Sequence, residues 1–363
     1  MPHQPTTTSP LPASSSEDPQ KAPKRLSRVL VILCFLTLLL GLATLLRLYI
    51  GTSDFGFPQD NYILNIRLTR LFIGLTVGIA LAVSGVGLQA LLRNPLAEPY
   101  ILGLSTGAGL GLFIVLYINR YTTIFADNQF LYVFSNSLGA LIGASASMFI
   151  VYLASRRRGI IDPLGLLLTG VVLSTINGAL IMLANYINGP AGIRADIAQW
   201  MMGFINESVP NSLIITASTI CLLGFIILLT FARHMDIATL SSIEAQALGV
   251  NLKFLRFILF LVSSILAACA VTLAGPIAFV GLICPHIVRM LLGPKHLTLL
   301  IGSAITGAAL IVAADTFSAF LKIQIENNFS YNIGLLPIGI FTALLGGPIF
   351  LYILHPHLGA SDA

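Results

Sequence analysis

The sequence predicts an all-α, polytopic membrane protein of about ten transmembrane helices. Three observations predict it. Hydrophobic residues make up 56% of the 363 and charged residues only 9%, whereas a soluble chain carries about 25% charged residues. Apolar runs close to the roughly 20 residues that a helix needs to cross a bilayer recur along the chain. When these runs are threaded back and forth, thirteen Lys and Arg residues fall on the inner side and six on the outer side, as the positive-inside rule requires. The mean hydropathy of +0.92 agrees. The net charge of +5 does not point to nucleic acid, because in a membrane protein the placement of charge matters more than its sum.

Residues 1–28 are rich in Pro, Ser and Thr and end in Lys21, Lys24, Arg25 and Arg28. They read as a disordered basic tail held in the cytoplasm. No small-residue cleavage site follows the first apolar core, so a signal peptide is not indicated. The remainder, 29–358, opens with a span at 29–50 and a polar outer loop at 51–66. The second span, 67–92, is rich in Gly, Ala and Ser, which let helices approach closely. It places Arg67 and Arg70 at the outer face and Arg93 at the inner face. Asn94 precedes Pro95 and should end the helix, because proline disfavours the α conformation in the residue before it. Further spans are expected at about 99–118, 130–155, 164–188, 209–232, 256–275, 277–292, 298–321 and 337–355. A short interfacial helix over Asp196–Phe204, with Trp200 at headgroup depth, is expected on the outer side. The parity of crossings leaves both termini in the cytoplasm.

The longest polar insert after the tail is RHMDIATLSSIEAQALGVNLKFLR, residues 233–256. Ala238, Leu240, Ile243, Ala247 and Leu248 recur at roughly helical spacing, and Gly249 can cap the C-terminus. Parity puts this amphipathic helix in the cytoplasm. It lacks a strongly basic face for lipid, so it suggests a protein partner.

No G-x-x-x-x-G-K-[ST] motif occurs, so any ATP hydrolysis must come from another chain. The four cysteines lie in apolar runs and form no C-x-x-C pair, so neither a disulfide framework nor a zinc site is indicated. No catalytic residue and no metal-ligand set is read from the chain. Two ionisable residues fall within spans. Asp315 reads as a brace between helices or as a proton-relay carboxylate. His286, after Pro285, reads as a structural hydrogen-bonding group or as a ligand to haem or metal. A loose internal repeat relates 80–103 to 270–293 and 165–183 to 334–352. The copies lie an odd number of spans apart and so have opposite orientation, a transporter signature.

Three stretches then carry a resemblance: RNPLAEPYILGLSTGAGLG (93–111), GPIAFVGLICPHIVRMLLG (275–293) and LPIGIFTALLGGPIFLYIL (336–354). In this order they resemble the permease subunits of ABC importers for iron chelates, the FecCD/BtuC-like family. The resemblance implies a type II ABC importer permease with inverted repeats, in the bacterial cytoplasmic (inner) membrane. It implies a second permease copy, identical or related, around a central path. It also implies a cytoplasmic ATPase dimer, which would carry the ATP and Mg, and an extracytoplasmic substrate-binding protein. No cofactor would be bound by this chain. The loop between the sixth and seventh helices would be the coupling loop, placing Asp236, Leu240, Ile243, Glu244, Ala247, Leu248 and Gly249 against the ATPase. Arg67, Arg70 and Lys322 would dock the binding protein. Asp162, Pro163 and Leu164 match the position of the family's cytoplasmic gate, and Arg93, Asn94 and Glu98 would brace the inner end of the path. The path should be lined by the second, fifth and tenth helices. The cargo expected is a ferric siderophore, with haem and cobalamin as alternatives. A proton-coupled secondary transporter using Asp315 and a passive scaffold or receptor are the rivals.

Overall fold

The computed structural model describes residues 21–52, 54–122, 128–157, 160–188, 200–329 and 334–358. Twelve α-helices are present among them: α1 (Lys21–Tyr49), α2 (Asn61–Leu92), α3 (Leu104–Thr122), α4 (Gln129–Ala154), α5 (Pro163–Asn188), α6 (Asn211–Thr230), α7 (Ala232–Ala238), α8 (Ser242–Ala247), α9 (Leu252–Ala274), α10 (Val280–Leu292), α11 (His296–Phe329) and α12 (Ile338–Leu358). Seven are long and apolar enough to cross a membrane, and α3, α10 and α12 contain shorter apolar stretches. Together they make the expected ten. A two-stranded antiparallel hairpin, β1 (Arg156–Arg157) with β2 (Ile160–Ile161), pairs Arg156 with Ile161.

The caps explain the boundaries. The Asp60 carboxylate accepts the Tyr62 N–H at 2.9 Å and starts α2. The N-terminal N–H groups of a helix lack partners within the helix, so a side-chain acceptor there stabilises the start. Asn251 does the same for α9 through the Phe254 N–H at 3.1 Å. At its other end α2 stops at Arg93, which adopts the left-handed conformation with φ of 50°. Asn94 then accepts the Leu96 N–H at 2.9 Å and turns the chain. A one-turn 3-10 helix, Pro99–Leu102, leads into α3.

The centre of the bundle is α2, which packs against α11, α9, α10 and α6. Ile73, Val77, Ala80, Ala82, Val83, Val86 and Leu88 are wholly buried there. Two glycine pairs bring backbones into contact. A Cβ placed on Gly78 would lie 2.3 Å from the Gly307 carbonyl oxygen, and one on Gly85 would lie 1.9 Å from that of Gly281. In contrast, α1 turns Leu30, Val31, Phe35, Leu38 and Leu42 outward, as suits a helix facing lipid.

The structure corrects several expectations. Lys21–Arg28 is the first part of α1, so helix extends into the expected tail. The second helix begins at Asn61, six residues before Arg67, because Asp60 caps it. The ninth span, expected to end at 321, runs on to Phe329 and takes in Glu326, which pairs with Lys322 one turn away at 3.5 Å. The single amphipathic helix expected within 233–256 is two helices, broken where Ser241 starts a new cap. The second helix, expected to line the path with the fifth and tenth, is mostly enclosed by its neighbours in this chain. Exposed apolar faces lie instead on α5 (Leu168, Val171, Val172, Ile176) and α12 (Leu344, Leu345, Leu351). Of the interfacial helix expected at 196–204, residues 196–199 lie outside the described residues. Trp200–Met201 is helical, and the chain turns at Gly203 with φ of 74°.

Candidate functional site

The basic face of the bundle carries residues 233–256, the segment expected to meet an ATPase. In α7, Met235 and Ala232 are buried and seat the helix. Ser241 and Glu244 then form a capping box: the Ser241 hydroxyl accepts the Glu244 N–H at 3.2 Å, and the Glu244 carboxylate accepts the Ser241 N–H at 3.0 Å. These bonds from Ser241 hold the Glu244 carboxyl below its ordinary pKa. Ala245 is the buried anchor of α8. Ile243 is 83% exposed and Leu248 is 60% exposed, with Leu240 also outward. Gly249 ends the segment with φ of 84°, as its expected capping role requires. A short helix with its large apolar residues outside, beyond the membrane-spanning helices, presents a surface suited to another protein. Asp236 behaves differently. It turns inward and meets His296 at the start of α11, with its Oδ1 2.6 Å from the ring Nδ1 and 2.9 Å from the backbone nitrogen.

Beside this segment lie the expected gate residues. Asp162 caps α5, its Oδ2 accepting the Gly165 N–H at 3.1 Å, and Pro163 takes the first helical position, where its missing N–H costs nothing. Leu164 is exposed. Arg256 donates to the Ile161 carbonyl at 3.2 Å and ties the hairpin to α9. Glu98 is 8% exposed, and its carboxylate accepts the N–H of Phe279. Phe279 precedes α10 in the left-handed conformation with φ of 70° and has no cap of its own. Glu98 therefore supplies from the 93–103 connection the acceptor that α10 lacks. Gln89 joins the same junction, donating to the Gly281 carbonyl at 3.2 Å and accepting from Arg289 at 2.8 Å. The two stretches related by the internal repeat thus pack against each other.

At the opposite face the arginines expected to dock a protein are taken up inside the chain. Arg67 and Arg70 are each 2% exposed. Arg67 donates to the carbonyls of Leu48 and Gly56 and pairs with Asp54 at 2.9 Å. Arg70 pairs with Asp315 at 2.6 Å and with Glu207 at 3.3 Å. Arg47, from the end of α1, reaches the other oxygen of Asp315 at 2.5 Å. Lys322 donates to the Thr52 carbonyl at 2.9 Å. The physical reason is the early start of α2. It sets Arg67 and Arg70 roughly 9 and 14 Å along the helix, where an unpaired charge is costly and carbonyls and carboxylates of neighbouring segments meet it. Asp315 is accordingly a brace among three helices. Removing one partner of such a buried set costs about 3–5 kcal/mol.

The description of the FecCD transport family matches residues 29–356. The chain belongs to the FecCD transport family. It is 38% identical over 296 residues to the hemin transport system permease protein HmuU of Yersinia pestis, covering 80% of this chain and 82% of that one. It is 35% identical over 309 residues to the cobalamin import system permease protein BtuC of Halobacterium salinarum, covering 85% and 77%. An inward-facing structure of a metal-chelate type ABC transporter superposes with a TM-score of 0.76 at 30% identity, covering 90% of this chain and 99% of that one.

In this FecCD chain, the sequence pattern located the exposed apolar residues of 233–256 but missed three junctions: Asp236 with His296, Glu98 with Phe279, and Arg47 with Asp315. The third carried a signal, since an ionisable residue within a span calls for a partner. The first two join residues far apart in sequence and have no local pattern. His286 lies half-buried in α10. Among the described residues no three His, Cys, Asp or Glu side chains converge as a metal site.

Proposed function

We propose that the chain is the membrane-spanning permease of an ATP-driven importer that carries an iron chelate into the bacterial cytoplasm, with a ferric siderophore as first cargo and haem and cobalamin as alternatives. The observation that carries this reading is the likeness, over nearly the whole chain, to a metal-chelate ABC transporter. The positive-inside rule places the basic face, and with it both termini, in the cytoplasm of a cell's inner membrane. There, α8 offers Ile243 and Leu248 to a separate ATPase dimer. A second permease copy, identical or related, covers the apolar faces of α5 and α12, and a central path runs between the two. Closure of the ATPase dimer on ATP moves α7–α8 and opens the path alternately to each side. A substrate-binding protein delivers the cargo to the opposite face. Because Arg67, Arg70 and Lys322 are engaged internally, that protein meets the exposed carboxylates of Asp54 and Glu207 as well as the arginines they hold. Ion pairs formed there contribute about 0–1 kcal/mol each, and their larger effect is on docking rate and orientation.

Proteoliposome uptake tests the reading. Ferric ferrichrome, haemin and cyanocobalamin are offered to the permease reconstituted with the ATPase that co-purifies with it. Uptake of one of them that requires ATP on the ATPase side supports the proposal. Uptake driven by a pH gradient without ATP, and lost in Asp315→Asn, refutes it in favour of proton coupling.

A further inference from the structure

We propose that Asp236 and His296 form a latch through which movement of the coupling segment reaches α11, so that both are positioning residues for ATP-driven transport. The inference rests on the importer reading and adds to it a specific mechanical link. One carboxylate oxygen of Asp236 makes both contacts, accepting the His296 backbone N–H at 2.9 Å and lying 2.6 Å from its Nδ1. The backbone contact satisfies a donor at the α11 N-terminus, where the helix dipole also favours a negative charge. The ring contact fixes the imidazole, whose residue is only 7% exposed. Asp236 thus holds the end of a helix that belongs to the core, from a helix that belongs to the coupling segment. Six residues further along, α8 begins with its exposed apolar surface.

What α11 does with such a pull follows from its other contacts. It is a 34-residue helix, about 51 Å long. Nineteen residues after His296, roughly 28 Å along the axis, Asp315 is held by Arg47 of α1 and Arg70 of α2. Between the two ends, Gly307 touches Gly78 of α2 backbone to backbone. A helix pinned at both faces and pressed against the central helix transmits displacement as a rod, because its own hydrogen bonds resist compression. Arg70 continues the line to Glu207, on the segment before α6 at the opposite face. The latch is therefore the place where motion of α7–α8 enters a strut that reaches the far side of the membrane.

The test compares His296→Ala, Asp236→Ala and Asp236→Asn in proteoliposomes with the co-purifying ATPase, using whichever of ferric ferrichrome, haemin or cyanocobalamin the wild-type complex carries. The readout is cargo moved per ATP hydrolysed, measured on assembled complex. The two alanine variants are expected to lower this ratio by about two- to thirtyfold. Asp236→Asn is expected to keep most of it, because its amide oxygen still accepts the His296 N–H. A merely structural role would reduce the amount of assembled complex and leave the ratio of the remainder unchanged. An unchanged ratio in both alanine variants, or failure of all three variants to assemble, overturns the latch. A wild-type complex that hydrolyses ATP and carries none of the probes overturns the importer reading and the latch with it. The two failures are distinct, since the second shows in the wild-type complex and the first only in the variants.

Discussion

At Glu98 a buried carboxyl does the work of a helix cap for another segment: its oxygen accepts the Phe279 N–H ahead of α10. Glu98→Ala should leave that buried N–H without its acceptor and destabilise by about 1–3 kcal/mol. Glu98→Gln should stay near wild type, because its amide oxygen still accepts the Phe279 N–H. Unfolding midpoints in one detergent compare the two variants, and a Glu98→Ala midpoint equal to that of wild type would show that the contact holds nothing. The arginines make the complementary point at this scale. Arg67 and Arg70 read from the sequence as surface cations because the helix was expected to begin at Arg67. Their real partners, Asp54, Asp315 and a set of backbone carbonyls, come from segments that no local pattern connects to them.

At the scale of elements, the number of spans and the exposed apolar residues of 233–256 follow from sequence, because apolar length and charge placement are local properties. The boundaries that differ do so at caps: Asp60 starts α2 early, and Ser241 with Glu244 restarts the chain as α8. Contacts between helices are less readable, yet the small residues of α2 mark where they fall. Gly78 and Gly85 are the positions where neighbouring backbones leave no space for a Cβ. Gly78→Ala and Gly85→Ala must push α11 or α10 away and should each destabilise by about 1–3 kcal/mol. Gly41 of α1 has nothing within 4 Å of its notional Cβ. Gly41→Ala should therefore stabilise slightly, by about 0.5–1 kcal/mol, through helix propensity alone. Unfolding midpoints of the three variants in one detergent separate the cases. A Gly85→Ala midpoint at or above that of wild type would contradict the close packing of α2 on α10.

In the whole molecule the two faces are built differently. The opposite face is closed by buried ion pairs that leave little freedom, whereas the basic face carries α8, held by one capping box and one buried alanine, with Ile243 and Leu248 outside. A partner that covers either side chain gains about 1.5–3 kcal/mol from its burial. Ile243→Asp and Leu248→Asp should each weaken ATPase binding about ten- to a hundredfold. Neither side chain supports the fold, so the unfolding midpoint of the isolated permease should move by no more than the roughly 0.5 kcal/mol typical of surface changes. Co-purification of the ATPase with each variant, set beside the midpoint of the permease alone, reads both quantities. Normal ATPase binding by both variants would remove α8 from the coupling surface. Loss of binding together with a lowered midpoint would mean that these side chains act by holding the segment folded. Loss of binding at an unchanged midpoint would mark α8 as the handle on which the ATPase acts, leaving the bundle behind it to carry the motion across the membrane.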